Sequence, residues 1–164
     1  MDDFAQARRL PREGPLPRDL SPGDATVRRA MARGRVSMLP TTTAAVASNE
    51  VGKGDVLATA RVAGIQAAKQ AALLLPMAHP VLVGNVYVNF TIGDADIGVE
   101  VSVDAVDRTG VEMEALVAVT AAALTIYDMC KSIDRTMVVC DVALWEKSGG
   151  RSGLWRRDDE AEPA

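Results

Sequence analysis

The chain has 164 residues, of which 48% are hydrophobic and 24% charged, with a net charge of −4. This size and balance fit one globular domain with a real core. The acidic charge argues against a general nucleic-acid binder, although eight of the eighteen Lys and Arg residues precede Val36. Aromatic residues make up only 4%, so the core must be aliphatic and few rings are on hand to stack bases.

Residues 1–23 carry Pro11, Pro15, Pro17 and Pro22 with scattered Arg, and read as an arm without a period. Residues 24–156 read as a single domain, and 157–164 as an acidic solvated tail. Within the domain, Val27 to Leu39 contains Arg35-Val-Ser-Met-Leu39, which alternates like a strand, although Arg28 to Arg33 alone fits a helix as well. Pro40-Thr-Thr-Thr opens a short helix that runs to about Ser48. Lys53-Gly-Asp55 opens a long helix to about Leu75, with Asp55 placed at its N-terminus and a stripe of Val56, Thr59, Ala60, Ala63, Ala67 and Ala71 for close packing. Pro76 and Pro80 stop that helix. Val81 to Ile92 alternates as a strand, Gly93-Asp94 turns the chain, and Gly98 to Val106 is the partner strand. Val111 to Asp134 has no Gly or Pro and repeats Met113, Leu116, Val119, Ala123, Ile126 and Cys130 at helical spacing. Thr136 to Trp145 is the last strand. This order, β-α-(α)-β-β-α-β, predicts an α+β, ferredoxin-like fold: a four-stranded antiparallel sheet with helices packed on one face.

Polar residues gather where these elements meet. Asp128 and Lys131 lie three apart at the end of the long helix and share a face. Glu112 and Glu114 sit in its first turn, where acids suit the helix dipole. Glu114 and Asp128, fourteen apart, fall on nearly one face but about 21 Å apart along the axis. A small ligand that needs both requires a second subunit, with its helix alongside and antiparallel. His79, the one histidine, lies in the helix–strand connection Met77-Ala-His-Pro80. Lys53 precedes a helix N-terminus, a place suited to phosphate. Lys147-Ser-Gly-Gly-Arg-Ser-Gly153 is glycine-rich and basic, which suits anion cradling by backbone amides, but it lacks the order of a P-loop. Cys130 and Cys140 have no metal-ligand spacing and read as reduced, packed thiols. Acids, one His and several cations with no metal cluster fit proton shuttling on a phosphorylated substrate. No metal or cofactor is expected. No charge-free apolar run reaches the roughly 18 residues of a membrane span, and Asp2 and Asp3 argue against a secretory leader, so a cytoplasmic protein with no membrane or nucleic-acid partner is expected.

Together, Lys53 to Lys69, Leu75-Pro-Met-Ala-His-Pro80, Thr109-Gly-Val-Glu-Met-Glu-Ala-Leu116, Ala122 to Lys131 and Glu146 to Gly153 resemble the cyclic pyranopterin monophosphate synthase (MoaC) family of molybdenum-cofactor biosynthesis. The resemblance spans about Asp19 to Arg156. It implies a lyase that converts 3′,8-cyclo-7,8-dihydroguanosine triphosphate to cyclic pyranopterin monophosphate and diphosphate. It also implies a hexamer, a trimer of dimers, with active sites between subunits. It makes Asp128 and Lys131 the catalytic pair. Met77, Ala78, His79, Met113 and Glu114 become substrate contacts, joined by Lys53, Glu112 and Lys147. Arg28 matches the family's nearby arginine and counts with the substrate-binding residues. Three departures stand out. Met77-Ala replaces Leu-Cys before the histidine. Arg151 and Leu154 replace Lys and Asp in the last block. Gly23 stands where the N-terminal block carries lysine, with Asp19 and Ser21 retained. That last change leaves a second reading open: a diverged paralogue that binds a pterin or nucleotide phosphate with little or no catalysis.

Overall fold

The computed structural model describes residues 25–157. The expected N-terminal arm, with Asp19, Ser21 and Gly23, lies outside the described residues. In chain order the elements are β1 (Thr26–Ser37), α1 (Pro40–Ala47), α2 (Val56–Lys69), α3 (Ala71–Leu74), β2 (Val83–Ile92), β3 (Asp96–Asp107), α4 (Glu112–Cys130), β4 (Val138–Ser148) and β5 (Trp155–Arg156). The sheet order is β2-β3-β1-β4-β5, with every pairing antiparallel. This is the expected α+β layering, with one strand more than expected. Two-residue β5 pairs with Glu146 and Lys147, so Gly149–Gly153 becomes a hairpin loop. Arg157, expected to open a free tail, donates its amide to the Trp145 carbonyl at 2.9 Å.

Alternation along β1 decides which face packs. Ala30, Ala32 and Val36 are fully buried on the helix side, beneath α4. Arg29, Arg33 and Arg35 point to the open side and pair there with Asp104, Glu100 and Asp96 of β3. The strand core is Val88 of β2 with Ile97, Val99, Val101 and Val103 of β3. Small residues let α2 lie close against α4. At Gly64, a Cβ would sit 3.3 Å from both the Ala118 carbonyl oxygen and Val88 Cγ2. The buried stripe of α2 is Val56, Ala60, Gly64, Ala67 and Ala68. Thr59, expected within it, is exposed instead.

Two helix ends differ from the sequence reading. The long helix expected to reach Leu75 breaks at Gln70 (φ −115°, ψ 7°) into α2 and α3. The helix expected to reach Asp134 stops at Cys130, because Asp134 is drawn off by tertiary partners. Its buried carboxylate accepts from the Leu39 amide (2.8 Å), Thr42 Oγ1 (3.1 Å), and the Thr136 amide and hydroxyl (2.9 and 2.7 Å). It thereby caps α1, whose own N-cap, Leu39, has no side chain for the task. By length and composition α4 is also apolar enough to cross a bilayer, although Glu112, Glu114 and Asp128 keep its charge-free run short of a span. It instead lies across the sheet with Ala115, Ala118, Val119, Ala122 and Ile126 fully buried.

Candidate functional site

Register fixes where each expected site residue lies. Thr26 pairs with Asp107, Arg29 with Ser148 and Val83 with Ala105. One end of the sheet therefore gathers the starts of β1, β2 and α4 and the ends of β3 and β4. Arg28, Glu112, Met113, Glu114 and Lys147 are at this end. Met77, Ala78 and His79 lie in the connection from α3 to β2, which enters the sheet at this end. The opposite end holds the close of α4, with Asp128 and Lys131, and the approach to α2, with Lys53. The expected residues thus form two sets, separated by the length of α4.

The second set is tightly knit. Lys131 Nζ lies 2.7 Å from Asp128 Oδ1, and Lys53 Nζ lies 3.5 Å from Asp128 Oδ2. Lys53 also donates to the Asp128 carbonyl at 2.8 Å, one of the orphan acceptors of the α4 C-terminus. Asp55 positions Lys53 by capping α2, accepting from the Ala58 amide at 2.9 Å. The hydrogen bond from Lys131, reinforced by the charges of Lys131 and Lys53, holds the Asp128 carboxyl below the usual carboxylate range. All three side chains reach solvent. The cluster presents two ammonium groups fixed on one carboxylate. Beneath it, burial pushes the Cys130 thiol up, so it is a packing residue, and both cysteines are free.

The first set is looser. Lys147 Nζ approaches Glu112 Oε1 at 4.0 Å and is held by the Ser152 hydroxyl from the returning limb of the hairpin loop. Lys147 lies within β4, not in the loop where the sequence put it. Glu114 is only 4% exposed. Burial first, then the charges of Glu112 and Asp107, raise its carboxyl above the ordinary range. The shared face expected for Glu114 and Asp128 is therefore not observed. Fourteen residues fall about 40° short of four full turns, and that offset turns Glu114 inward. The solvent side of α4 that ends at Asp128 begins at Met113, 42% exposed, and runs through half-buried Val117 and Ala121 and exposed Leu124. Met113, which the sequence reading counts in the apolar repeat and the resemblance makes a substrate contact, is therefore a surface residue. His79 and Met77 are exposed and Ala78 half-buried. Among the described residues, no hydrogen bond or ion pair joins His79 to either set.

No group of three His, Cys, Asp or Glu side chains converges as a metal site among the described residues. A concavity of about 440 Å³ lies on the open sheet face, lined by Arg33, Arg35, Asp96, Asp141 and Trp145 among others. It holds none of the expected site residues. Its arginines are already engaged: Arg35 by Asp96 and Asp141, Arg33 by Glu100 and by stacking 4.7 Å from the Trp145 ring centre.

Comparison with known proteins places these residues in a family. The chain is 48% identical to a cyclic pyranopterin monophosphate synthase of Thermomicrobium roseum, covering all of this chain and 96% of that one. It is 51% identical to the synthase of Desulfitobacterium hafniense, over 86% of this chain and 87% of the relative. It is also 51% identical to cyclic pyranopterin monophosphate synthase 3 of Mycobacterium bovis, over 86% and 80%. The profile of the MoaC family matches residues 18–150, a span that includes both ends of α4 and the segments that gather there, and this chain belongs to the MoaC family.

Proposed function

We propose that this chain is a cyclic pyranopterin monophosphate synthase, a lyase that takes 3′,8-cyclo-7,8-dihydroguanosine triphosphate to cyclic pyranopterin monophosphate and diphosphate. The observation that carries the reading is the Lys53–Asp128–Lys131 cluster, found in a chain so similar to named synthases. Its chemistry suits the reaction. With its carboxyl held low, Asp128 is a poor proton acceptor at neutral pH, and its task is to hold the two ammonium groups. Lys131 supplies the proton that moves as the purine-derived ring opens and the pyranopterin forms. Lys53 and Lys147 face the phosphates, whose negative charge they offset through charge-assisted hydrogen bonds.

The site is built from two chains. Asp128 and Lys131 lie about 21 Å along α4 from the turn bearing Glu112 and Glu114, so one small substrate cannot span both sets in one copy. The exposed stripe from Met113 through Val117 and Leu124 to Asp128 offers a face on which a second α4 can lie antiparallel. Its Asp128 end then meets the first copy's Met113 end, with Lys147 and His79 nearby. A homo-oligomer follows, and the hexamer of the family resemblance is the assembly we assign.

The test is direct. Purified protein incubated with the cyclised GTP intermediate should release diphosphate and form the cyclic monophosphate. Binding of the intermediate without diphosphate release would establish the non-catalytic paralogue instead, and failure to bind it would overturn both readings.

A further inference from the structure

Arg28 lies on the helix side of β1, in line with buried Ala30 and Ala32, but beyond the core at the end where α4 begins. Its guanidinium is already in use. Nε donates to the Asp107 carbonyl at 3.0 Å and Nη2 to the Arg108 carbonyl at 2.7 Å. Those two carbonyls belong to the segment that turns from β3 into α4 and so sets where Glu112 starts. On its other side Arg28 supports the β4–β5 loop. Gly149 (φ 97°) lies over the Val27 carbonyl, where an added Cβ would be 3.2 Å from Arg28 Cδ. Gly150 (φ 71°) lies against Arg28 Nη1, and its positive φ is a conformation that side chains rarely adopt. The far limb of this loop brings Ser152 to Lys147, and Lys147 faces Glu112.

From this geometry we infer that Arg28 is a positioning residue for the Lys147 end of the site: it clamps the β3–α4 turn to the glycine loop, and so sets Lys147 against Glu112. A residue serving only as a positive charge for the triphosphate would not commit two N–H groups to main-chain carbonyls. The planar fork of arginine is required, because a lysine ammonium on a flexible stem cannot span two successive carbonyls while lying flat beneath a loop. The inference rests on the synthase reading for its catalytic arm only.

Two measurements on the full chain test it. The first needs no substrate. Limited trypsin digestion, read by mass spectrometry at the bond after exposed Arg151, should run several-fold faster in both Arg28→Ala and Arg28→Lys than in the wild type. The second is a double-mutant cycle in kcat/KM. Arg28→Ala and Arg28→Lys should each lose about tenfold or more, since misplacing a site group by about 1 Å can cost up to 10²-fold. Arg28→Ala combined with Lys147→Ala should be no more than about threefold worse than Lys147→Ala alone, because both act through one group. A general loss of folding would instead multiply with the Lys147 loss. Near-wild-type activity and unchanged cleavage in Arg28→Lys would make Arg28 a charge contact and overturn the inference, as would multiplicative losses. If the wild type has no synthase activity, the synthase reading fails and the trypsin result alone decides whether Arg28 clamps the loop.

Discussion

At the scale of single residues, the chemistry converges on Asp128 and what holds it. Two lysines from separate elements reach one carboxylate, one from the same helix turn and one from the start of α2. Lys131→Ala should lower kcat by about 10²- to 10⁴-fold, the usual contribution of a general acid, while assembly is unchanged, because Lys131 is exposed and lies outside the core. Removing Lys131 also removes the largest cause of the lowered Asp128 titration. Carbon-detected NMR of the Asp128 carboxyl should therefore show its midpoint move upward in Lys131→Ala. A midpoint that stays put would mean that the pair does not form in solution. The Asp128–Lys131 spacing was legible in the sequence because a helix fixes it. The contact of Lys53 with the same carboxylate was not, since it joins residues 75 apart in the chain. Nor was the burial of Glu114, which depends on a 40° offset that becomes visible only once the sheet shows which side of α4 it covers.

At the scale of elements, the order of strands and helices was readable from alternation and helical period, and so was the fold class. The errors lie at element ends, where distant partners decide. Asp134 is the clearest case. In the sequence it reads as a continuation of α4, yet its carboxylate serves the N-terminus of α1, more than ninety residues earlier. Hydrogen bonds from the Leu39 amide and from Thr136 and Thr42 draw its pKa down to about 2. The folded value lies below the roughly 3.9 of an unfolded aspartate. This stabilisation is therefore fully present above about pH 5 and is lost as pH falls through 4 toward 2. Asp134→Asn should lower the midpoint of thermal unfolding by a constant amount above pH 5, and the gap to wild type should close as pH falls toward 2. A gap that persists at pH 2 would assign the loss to packing and not to the charge. Gly34 is a second element-level constraint. A Cβ there would lie 2.8 Å from Val119 Cγ1 and 2.9 Å from Val142 Cγ2, between α4 and the bulged strand β4. Gly34→Ala should cost about 1–3 kcal/mol by overpacking, with calorimetry showing a fall of about 2–4 °C per kcal/mol for a chain of this size.

At the scale of the whole molecule, one chain places the described site residues at the two ends of α4, and the proposed two-chain site follows from that separation. The antiparallel run of α2 against α4 sends Lys53 to one end and His79 to the other, so the topology itself separates the two sets. Two antiparallel copies restore both sets twice, in an arrangement where the same patch serves both partners. The consequence can be measured by mixing. Lys147→Ala and Asp128→Ala proteins should each be nearly inactive alone, because each damages one half of every site. Unfolded together and refolded at equal concentration, half of the pairs formed at random are mixed. Each mixed pair holds one site with an intact Asp128 from one chain and an intact Lys147 from the other. The mixture should therefore recover about one quarter of the wild-type rate. Mass spectrometry under native conditions reports whether mixed pairs have formed. If they have and no activity returns, Lys147 and Asp128 do not meet across a subunit boundary, and the two ends of α4 serve separate purposes.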